Sequence, residues 1–469
     1  MANEGPVILR NANDVHDIVD SYRTRASFLI TLIALGGVFV DGYDFTSLGI
    51  GTIQLKEQFH LTAVGLGTIT ASMAIGALIA ALVGGYYVDR VGRYKMFLLD
   101  LFLFVGSAIG AAFSPNMAWL LGFRFLMGVG VGLDFPAAMS FVAEYTNTRH
   151  RSRSVNLWGT VWTTAIIVGL LWILGLYYVV PSAQLWRWAV GMGALPAIIV
   201  LWSRYRYMRE SASWLAQYGT LQQAADVLEQ TYGISVRVDP QAASRPTTTA
   251  SITLRKAVTI LKSPYGRRTL LASVLAMEGS IEFFGLSFYL PVISLGLFGK
   301  VFIYAILGSV FFNIFALVGN IFGALTTPRF GMRRLAIVSC VGVIITLGII
   351  GFWRHEMPLW LSVSVLAAYL IFHGFGPAIQ GMGMASVSYP TEFRGVGTGW
   401  VQSMVRVGSI TGFYLFPVLT TVVGLSRTFL IVAVAPLVAL IVLFLVDWDP
   451  AHYQADRDTK APSSVVHEG

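Results

Sequence analysis

Several ionisable side chains in this sequence sit where charge is costly. Asp41 and Asp44 lie one turn apart in an apolar run that begins at Ala26. Arg124 and Asp134 lie in another such run, and Glu278 and Glu282, also one turn apart, lie in a third. His373 and Gln380 share a fourth, Gln402 and Arg406 a fifth. Ionisable groups inside membrane-length apolar segments usually mark a substrate or ion path. The chemistry they suggest is binding and proton exchange. A neighbouring cation favours the ionised form of an acid while burial opposes it, so a paired, buried acid can take up and release a proton. Arg406 needs a counter-ion, either a protein acid such as Glu278 or Glu282 or an anionic substrate. Trp158, Trp162 and Trp400 offer faces on which a flat substrate could stack. No Walker motif, His/Cys metal cluster or nucleophile constellation is present, which argues against an ATP-driven pump or an enzyme, and no cofactor or metal is expected.

These side chains must be positioned by helices in lipid. The chain has 469 residues, of which only 12% are charged, where a soluble domain carries roughly 25%; its mean hydropathy is +0.69. Twelve apolar runs, at 26–50, 62–88, 96–113, 117–145, 155–179, 185–203, 269–297, 302–327, 335–353, 358–388, 396–422 and 428–447, are long enough to span a bilayer. Backbone groups in lipid need internal partners, so runs of this length are helices; barrel strands would be about half as long and would alternate. The expected fold is an all-α membrane protein of twelve transmembrane helices in two pseudo-symmetric six-helix halves.

The formal charge of +8 does not point to nucleic acid. With the N-terminus inside, 25 of the 32 Lys and Arg fall on cytoplasmic segments and five on outer segments or helix ends, leaving Arg124 and Arg406 within helices. This is the positive-inside bias. Residues 1–25 read as a retained cytoplasmic tail, because the first apolar run is too long for a signal-peptide core. The first half covers 26–208, a polar cytoplasmic segment 209–267, the second half 268–447, and a cytoplasmic tail 448–469. Within the central segment, Thr220 to Tyr232 reads as an amphipathic helix, and Arg245-Pro246-Thr-Thr-Thr as a flexible linker. The lone Cys340 excludes an internal disulfide.

Two glycine patterns carry more specific information. Gly128-Val-Gly130-Val-Gly132 follows no strand and is better read as a close-packing helix face than as a nucleotide loop. The turn after the second run reads Gly85-Tyr-Tyr-Val-Asp89-Arg90-Val-Gly92-Arg93-Tyr-Lys95. An acid here can face the positive N-terminal end of a neighbouring helix. Set between two spanning runs, this stretch resembles the loop 2–3 signature of the major facilitator superfamily, G-x-x-x-D-R-x-G-R-x-K. The resemblance implies that Asp89 and Arg93, with Gly85, Arg90, Gly92, Lys95 and Glu144, clasp the two halves together. Arg124-x-x-x-Gly-x-Gly-x-Gly leading to Glu144 resembles the sugar-porter and metabolite:proton symporter branches. Arg209-Glu210-Ser-Ala-Ser-Trp214-Leu resembles the sugar-porter Pro-Glu-Ser-Pro-Arg-Trp-Leu motif but lacks both prolines and its arginine. The second half repeats the first: Gly331 falls on Gly92, Arg329 on Arg90 and Arg334 on Lys95, while Pro328 replaces Asp89.

In the symporters this chain resembles, the acid of Gly42-Tyr43-Asp44 pairs with the fourth-helix arginine until it is protonated. At about 1.5 Å rise per residue, Asp44 and Arg124 lie roughly 9 and 10 Å below the outer end of their helices, so they can meet. Asp41 is a second acid, as in aromatic-acid:proton symporters, and Asp134 matches an acid of phosphate symporters. The leading expectation is a proton-coupled symporter of a small organic metabolite, preferentially a carboxylate or aromatic acid. A transporter of a sugar or other neutral metabolite, a phosphate:proton symporter, favoured by the first-helix acids with Asp134, and a non-transporting membrane receptor or structural protein are the alternatives. Proton coupling falls to Asp41, Asp44 and Arg124. Candidate substrate contacts are Asp134, Glu278, Glu282, His373, Gln380, Gln402, Arg406, Trp162 and Trp400. The expected partners are the lipid bilayer, a small-molecule substrate and protons, with the monomer as the working unit. The expected location is a bacterial inner membrane, crossed many times, with both termini cytoplasmic.

Overall fold

A computed structural model describes residues 6–22, 24–243, 258–299, 301–354 and 356–450. Twelve apolar helical spans cross it: Arg25–Gly51, Gly67–Val91, Arg93–Ala112, Met117–Tyr145, His150–Val179, Leu185–Tyr207, Gly266–Phe298, Phe302–Phe330, Met332–Trp353, Leu359–Val387, Phe393–Val422 and Leu425–Leu445. The chain is therefore an all-α membrane protein. Large apolar side chains such as Phe102, Trp202, Ile345 and Leu437 stand exposed on its surface, as lipid rather than water requires.

The packing repeats with an offset of six spans. The second span packs on the fourth as the eighth does on the tenth, and the third on the sixth as the ninth on the twelfth. The first packs on the fifth as the seventh on the eleventh. Across the middle, the second span meets the eleventh and the fifth meets the eighth, two contacts that the same offset interchanges. Gly128, Gly130 and Gly132 abut backbone of the second and third spans, so that run packs helices, as expected. Several spans are broken rather than straight. The first divides at Leu35, the seventh passes through a 3-10 turn at Ser287–Tyr289, and the tenth divides at Phe375–Gly376. Unwound backbone at depth is tolerated where it borders a cavity or is buried in protein.

The duplication extends to how helices are capped. Gly92 and Gly331 precede the third and ninth spans with φ of 108° and 85°, a region open to glycine but strained for other residues. Glu210, just past the sixth span, accepts the N–H groups of Arg93 (3.0 Å) and Tyr94 (3.1 Å). Asp449, just past the twelfth, accepts those of Met332 (3.1 Å) and Arg333 (3.0 Å). A carboxylate there satisfies orphan donors and complements the helix dipole.

The polar segments are more ordered than their composition suggests. The tail expected over 1–25 forms a strand, Val7–Leu9, that pairs in parallel with Val236–Val238 of the central segment. It continues into a helix, Ala12–Ser21, closed by a capping box from Asn11 and Asp14 and packed on the helix Ala212–Tyr218. Thr24 Oγ1 donates to Thr231 O at 3.1 Å. The N-terminal segment is thus a strap across the central segment. Sequence order hid this, because its partner lies more than two hundred residues away. The amphipathic helix is present as Leu221–Tyr232, capped by Thr220, with Ala224, Ala225 and Leu228 buried. Arg245-Pro246 and residues 451–469 of the C-terminal tail lie outside the described residues.

Glu210 sets a test of this capping. Burial holds its carboxyl above the ordinary range, opposed by the Arg93 charge and by the N–H groups of Ser211, Tyr94 and Arg93. A folded value above the unfolded one means a contribution present at low pH and lost as pH rises through the folded value. Glu210→Ala should lower the melting temperature of the lipid-reconstituted protein, at a cost of about 1–2 kcal/mol for the lost cap. Glu210→Gln, which keeps one acceptor oxygen and buries no charge, should lose less and flatten the melting profile between mildly acid and neutral pH. Equal losses in the two variants would contradict this.

Candidate functional site

The two halves enclose a central cavity of about 70 Å³. One water needs roughly 10–15 Å³ of such volume, so the space is contracted but not empty of room. The first half contributes Phe135, Trp158, Trp162 and Thr163; the second contributes Phe283, Phe284, Asn313, Asn320, His373, Gln402 and Arg406. Four of the expected contacts, Trp162, His373, Gln402 and Arg406, therefore meet at one cavity. Among the described residues, neither side-chain amide atom of Gln402 has a hydrogen-bond partner, nor do Trp158 Nε1, Ser287 Oγ and Arg406 Nε. Buried polar atoms without partners are costly, and this wall leaves them open to a bound ligand.

Next to this wall stand two buried ion pairs. Arg124 Nη1 lies 2.5 Å from Asp44 Oδ2, and the guanidinium otherwise meets the thioethers of Met73 and Met127. The depth argument for this pair holds. Arg406 Nη2 lies 3.1 Å from Asp41 Oδ2. Its partner is thus neither Glu278 nor Glu282 but an acid from the first span, in the other half. The Arg406 guanidinium also sits 5.8 Å from the Phe45 ring centroid.

The remaining expected contacts are placed elsewhere. Asp134 is held by Arg204 (2.7 Å), which also binds Asp100 (3.2 Å) and lies over the Phe97 ring. Arg204 belongs to the sixth span and is fully buried, so it is not a loop charge; Arg93 and Arg394 are buried within helices as well. Asp100 and Arg204 escaped the sequence reading, Asp100 as a single acid in a long apolar run. Gln380 bonds Asn156 (3.0 Å) and Phe375 O (3.1 Å). Trp400 donates to Ser273 at 3.1 Å. Glu278 and Glu282 lie behind the wall, with Glu282 2.8 Å from His373 Nδ1. Asn313 and Asn320 were also missed; seven residues apart, they share the polar face of an otherwise apolar eighth span.

Contacts between the two halves flank the cavity in two clusters. At one end Asp89 accepts the N–H groups of Gly395 (3.1 Å) and Val396 (2.9 Å), the first turn of the eleventh span. Arg93 bridges Asp89 (3.1 Å), Glu144 (2.8 Å) and Thr391 O (3.2 Å), and Glu144 also meets Arg394 (3.3 Å). Gly85 permits this approach, since a Cβ there would strike the Gly395 backbone. Arg90 instead bonds Tyr86 (2.9 Å), and Lys95 is exposed, so neither joins the clasp. Pro328 offers no equivalent acceptor to the fifth span, which is capped by its own Asn147. At the far end lies an aromatic plug. Phe45 of the first half lies 5.0 Å from Phe284, tilted against it, and stacks on Phe413 at 6.1 Å, while Phe288 lies 4.9 Å from Phe413.

The profile of the family described as "sugar (and other) transporter" matches residues 29–448. The chain belongs to this family. The missing prolines of the sugar-porter motif do not exclude it. The residues it retains are the working ones, for Glu210 caps the third span and Trp214 Nε1 donates to Asp89 O at 2.8 Å. The inner membrane metabolite transport protein YgcS of Escherichia coli is 27% identical over 424 residues, covering 90% of this chain and 91% of that protein. The niacin transporter NiaP of Acinetobacter baylyi is 24% identical over 391 residues, covering 81% and 84%. In structure the chain is similar to the major facilitator superfamily proton:xylose symporter XylE of E. coli, with TM-score 0.75 at 19% identity over 93% of this chain and 98% of that one. It is a multi-pass transporter of the major facilitator fold, not an enzyme.

The single cysteine, Cys340, is buried, which makes clasp opening measurable. Ser140 and Thr398 face each other across the clasp at 3.4 Å. Asp89→Asn removes a charge from a helix N-terminus worth up to about 2 kcal/mol. Maleimide labelling of Ser140→Cys should then accelerate about tenfold when Asp89→Asn is added. An unchanged rate would show that Asp89 does not hold this end shut.

Proposed function

We propose that the protein is a proton-coupled symporter of a small carboxylate, preferentially an aromatic one, working by alternating access. The observation that carries this reading is the position of Arg406, on the cavity wall yet held by Asp41 of the opposite half. Breaking a buried pair by removing one partner costs about 3–5 kcal/mol. The halves therefore do not part around an unprotonated Asp41 unless Arg406 gains another anion. A proton on Asp41 releases Arg406, and a substrate carboxylate replaces the lost counter-ion. Proton and anion loading are then linked through one guanidinium. Asp44 and Arg124 act alike within the first half: protonation of Asp44 frees the first span from the fourth.

The cavity walls suit a flat ring. Trp158, Trp162 and Phe283 supply aromatic faces, while Gln402 and Trp158 Nε1 supply unpaired polar atoms. Niacin, the substrate named for one relative, is an aromatic carboxylic acid, and another similar protein is named a proton symporter. The phosphate alternative leans on the first-span acids and Asp134; Asp134 is engaged by Arg204, Asp41 by Arg406 and Asp44 by Arg124. A sugar remains the second reading, favoured by the cavity amides Asn313, Asn320 and Gln402 and by xylose in the name of the similar structure. The excess of Lys and Arg at the clasp end supports placing that end and both termini in the cytoplasm.

Uptake of radiolabelled benzoate, nicotinate and xylose into proteoliposomes tests this. An inward proton gradient should drive accumulation of an aromatic acid, and a protonophore should abolish it. Asp44→Asn should lose gradient-driven accumulation while retaining exchange. Wild-type binding should strengthen at acid pH, and Asp41→Asn should bind the same acid with little pH dependence. Accumulation of xylose but neither acid would overturn the carboxylate assignment, and accumulation indifferent to the gradient would overturn the coupling.

A further inference from the structure

The seventh span carries a second pair of acids, for which the coupling through Asp41 and Asp44 has no use. Glu278 and Glu282 are one turn apart, and 2% and 0% exposed. Both Glu278 oxygens and Glu282 Oε1 lack a hydrogen-bond partner among the described residues. The group Glu278 faces is the Glu282 carboxyl. From the tenth span, His373 Nδ1 lies 2.8 Å from Glu282 Oε2, while the Tyr369 hydroxyl reaches the Glu282 backbone oxygen, at 3.5 Å. From the ninth span the titratable neighbour is Cys340. The eleventh span packs against the seventh, but its nearby cation, Arg406, is engaged by Asp41. No arginine or lysine pairs with either acid among the described residues.

Two carboxylates that meet in an apolar setting without a cation cannot both stay ionised. A proton between them supplies the donor that Glu278 otherwise lacks. His373 gives that proton a route, since its ring lines the central cavity and its Nδ1 touches Glu282. A pair serving only as packing would need no imidazole between it and the cavity. We infer that Glu278, Glu282 and His373 form a proton-binding site of the second half, filled and emptied through the central cavity. In loading, His373 Nε2 takes a proton from hydronium reaching the cavity, which leaves as water, while Nδ1–H passes one to Glu282 Oε2. The imidazole ends neutral in its other tautomer, and the pair gains one proton. Unloading is the reverse. Protons are then held on both sides of the cavity, and more than one can move per cycle whatever the substrate.

The test needs no substrate. Infrared difference spectra of the full chain in lipid, taken across a jump from mildly acid to mildly alkaline pH, read protonated carboxyls directly. The wild type should lose carboxyl C=O intensity on the alkaline side, and that part of the signal should vanish in Glu278→Gln and Glu282→Gln. His373→Asn should keep the signal but lose its fast phase. A Glu278/Glu282 contribution that does not respond to pH would mark a fixed, structural proton and overturn the inference. So would a responding signal unaltered in both glutamine variants, or a fast phase untouched by His373→Asn. Should the glutamine variants fail to fold, dicyclohexylcarbodiimide labelling of the wild type, mapped by peptide mass spectrometry, decides. Adducts on Glu278 or Glu282 at acid but not alkaline pH are expected; their absence at acid pH, or equal labelling at both, rejects the site.

Discussion

A buried guanidinium is always charged and must be neutralised wherever it lies. Five arginines here, Arg93, Arg124, Arg204, Arg394 and Arg406, are among the largest fully buried side chains. Each has an acid within 3.3 Å. The distribution of those acids determines what can move. Arg204 with Asp100 and Asp134, and Arg124 with Asp44, tie helices within the first half. Arg406 with Asp41, and Arg394 with Glu144, tie one half to the other. The internal pairs join spans of one half; the crossing pairs are the ones that a relative movement of the halves would strain.

The two crossing pairs differ in what can replace them. Around Glu144, the carboxylate is shared by Arg93 and Arg394, and backbone oxygens from Val88, Thr391 and Tyr389 supply further acceptors. None of these lines the central cavity, so this end responds to the geometry of the halves. Arg406 does line it, and in the proposed cycle a ligand carboxylate takes the place of Asp41. On that proposal one pair is a mechanical latch and the other a chemical one. The aromatic plug at the far end is joined to the second through Phe45, whose ring lies beside the Arg406 guanidinium. Release of Arg406 from Asp41 would therefore change the surroundings of Phe45 as well as the cross-half charge pair.

The sequence was most legible where local physics suffices. Twelve apolar runs, each too long for a soluble strand, yield twelve spans with ends displaced by a few residues. The Asp89 turn could be read because its parts are contiguous, and the acid does cap a neighbouring helix. The Asp44–Arg124 pair was accessible from depth alone, since two helices crossing one slab put equal depths within reach. Depth could not select the partner of Arg406. Asp41, Glu278 and Glu282 all lie near the midplane, and only helix rotation decides which faces the guanidinium. Rotation is set by packing between spans, which a single sequence encodes weakly when every face is apolar. The N-terminal strap was illegible for another reason: its three-residue strand means nothing until Val236–Val238 is beside it.

The duplication explains why the halves do different work despite one plan. The same offset that carries Gly92 onto Gly331 and Glu210 onto Asp449 leaves Pro328 at the place of Asp89. The second half therefore keeps its helix caps but has no acid there to reach across to the fifth span. Its buried acids are instead drawn inward, to Glu278 and Glu282 on the seventh span, the counterpart of the span that carries Asp41 and Asp44. In the first half each of those acids meets an arginine; in the second the acids meet each other and a histidine. An arginine fixes the charge of its partner's surroundings, whereas a histidine can itself gain or lose a proton. Corresponding spans in the two halves thus carry acids answered by different groups, and on the proposals made above that difference gives one half a charge latch and the other a proton store.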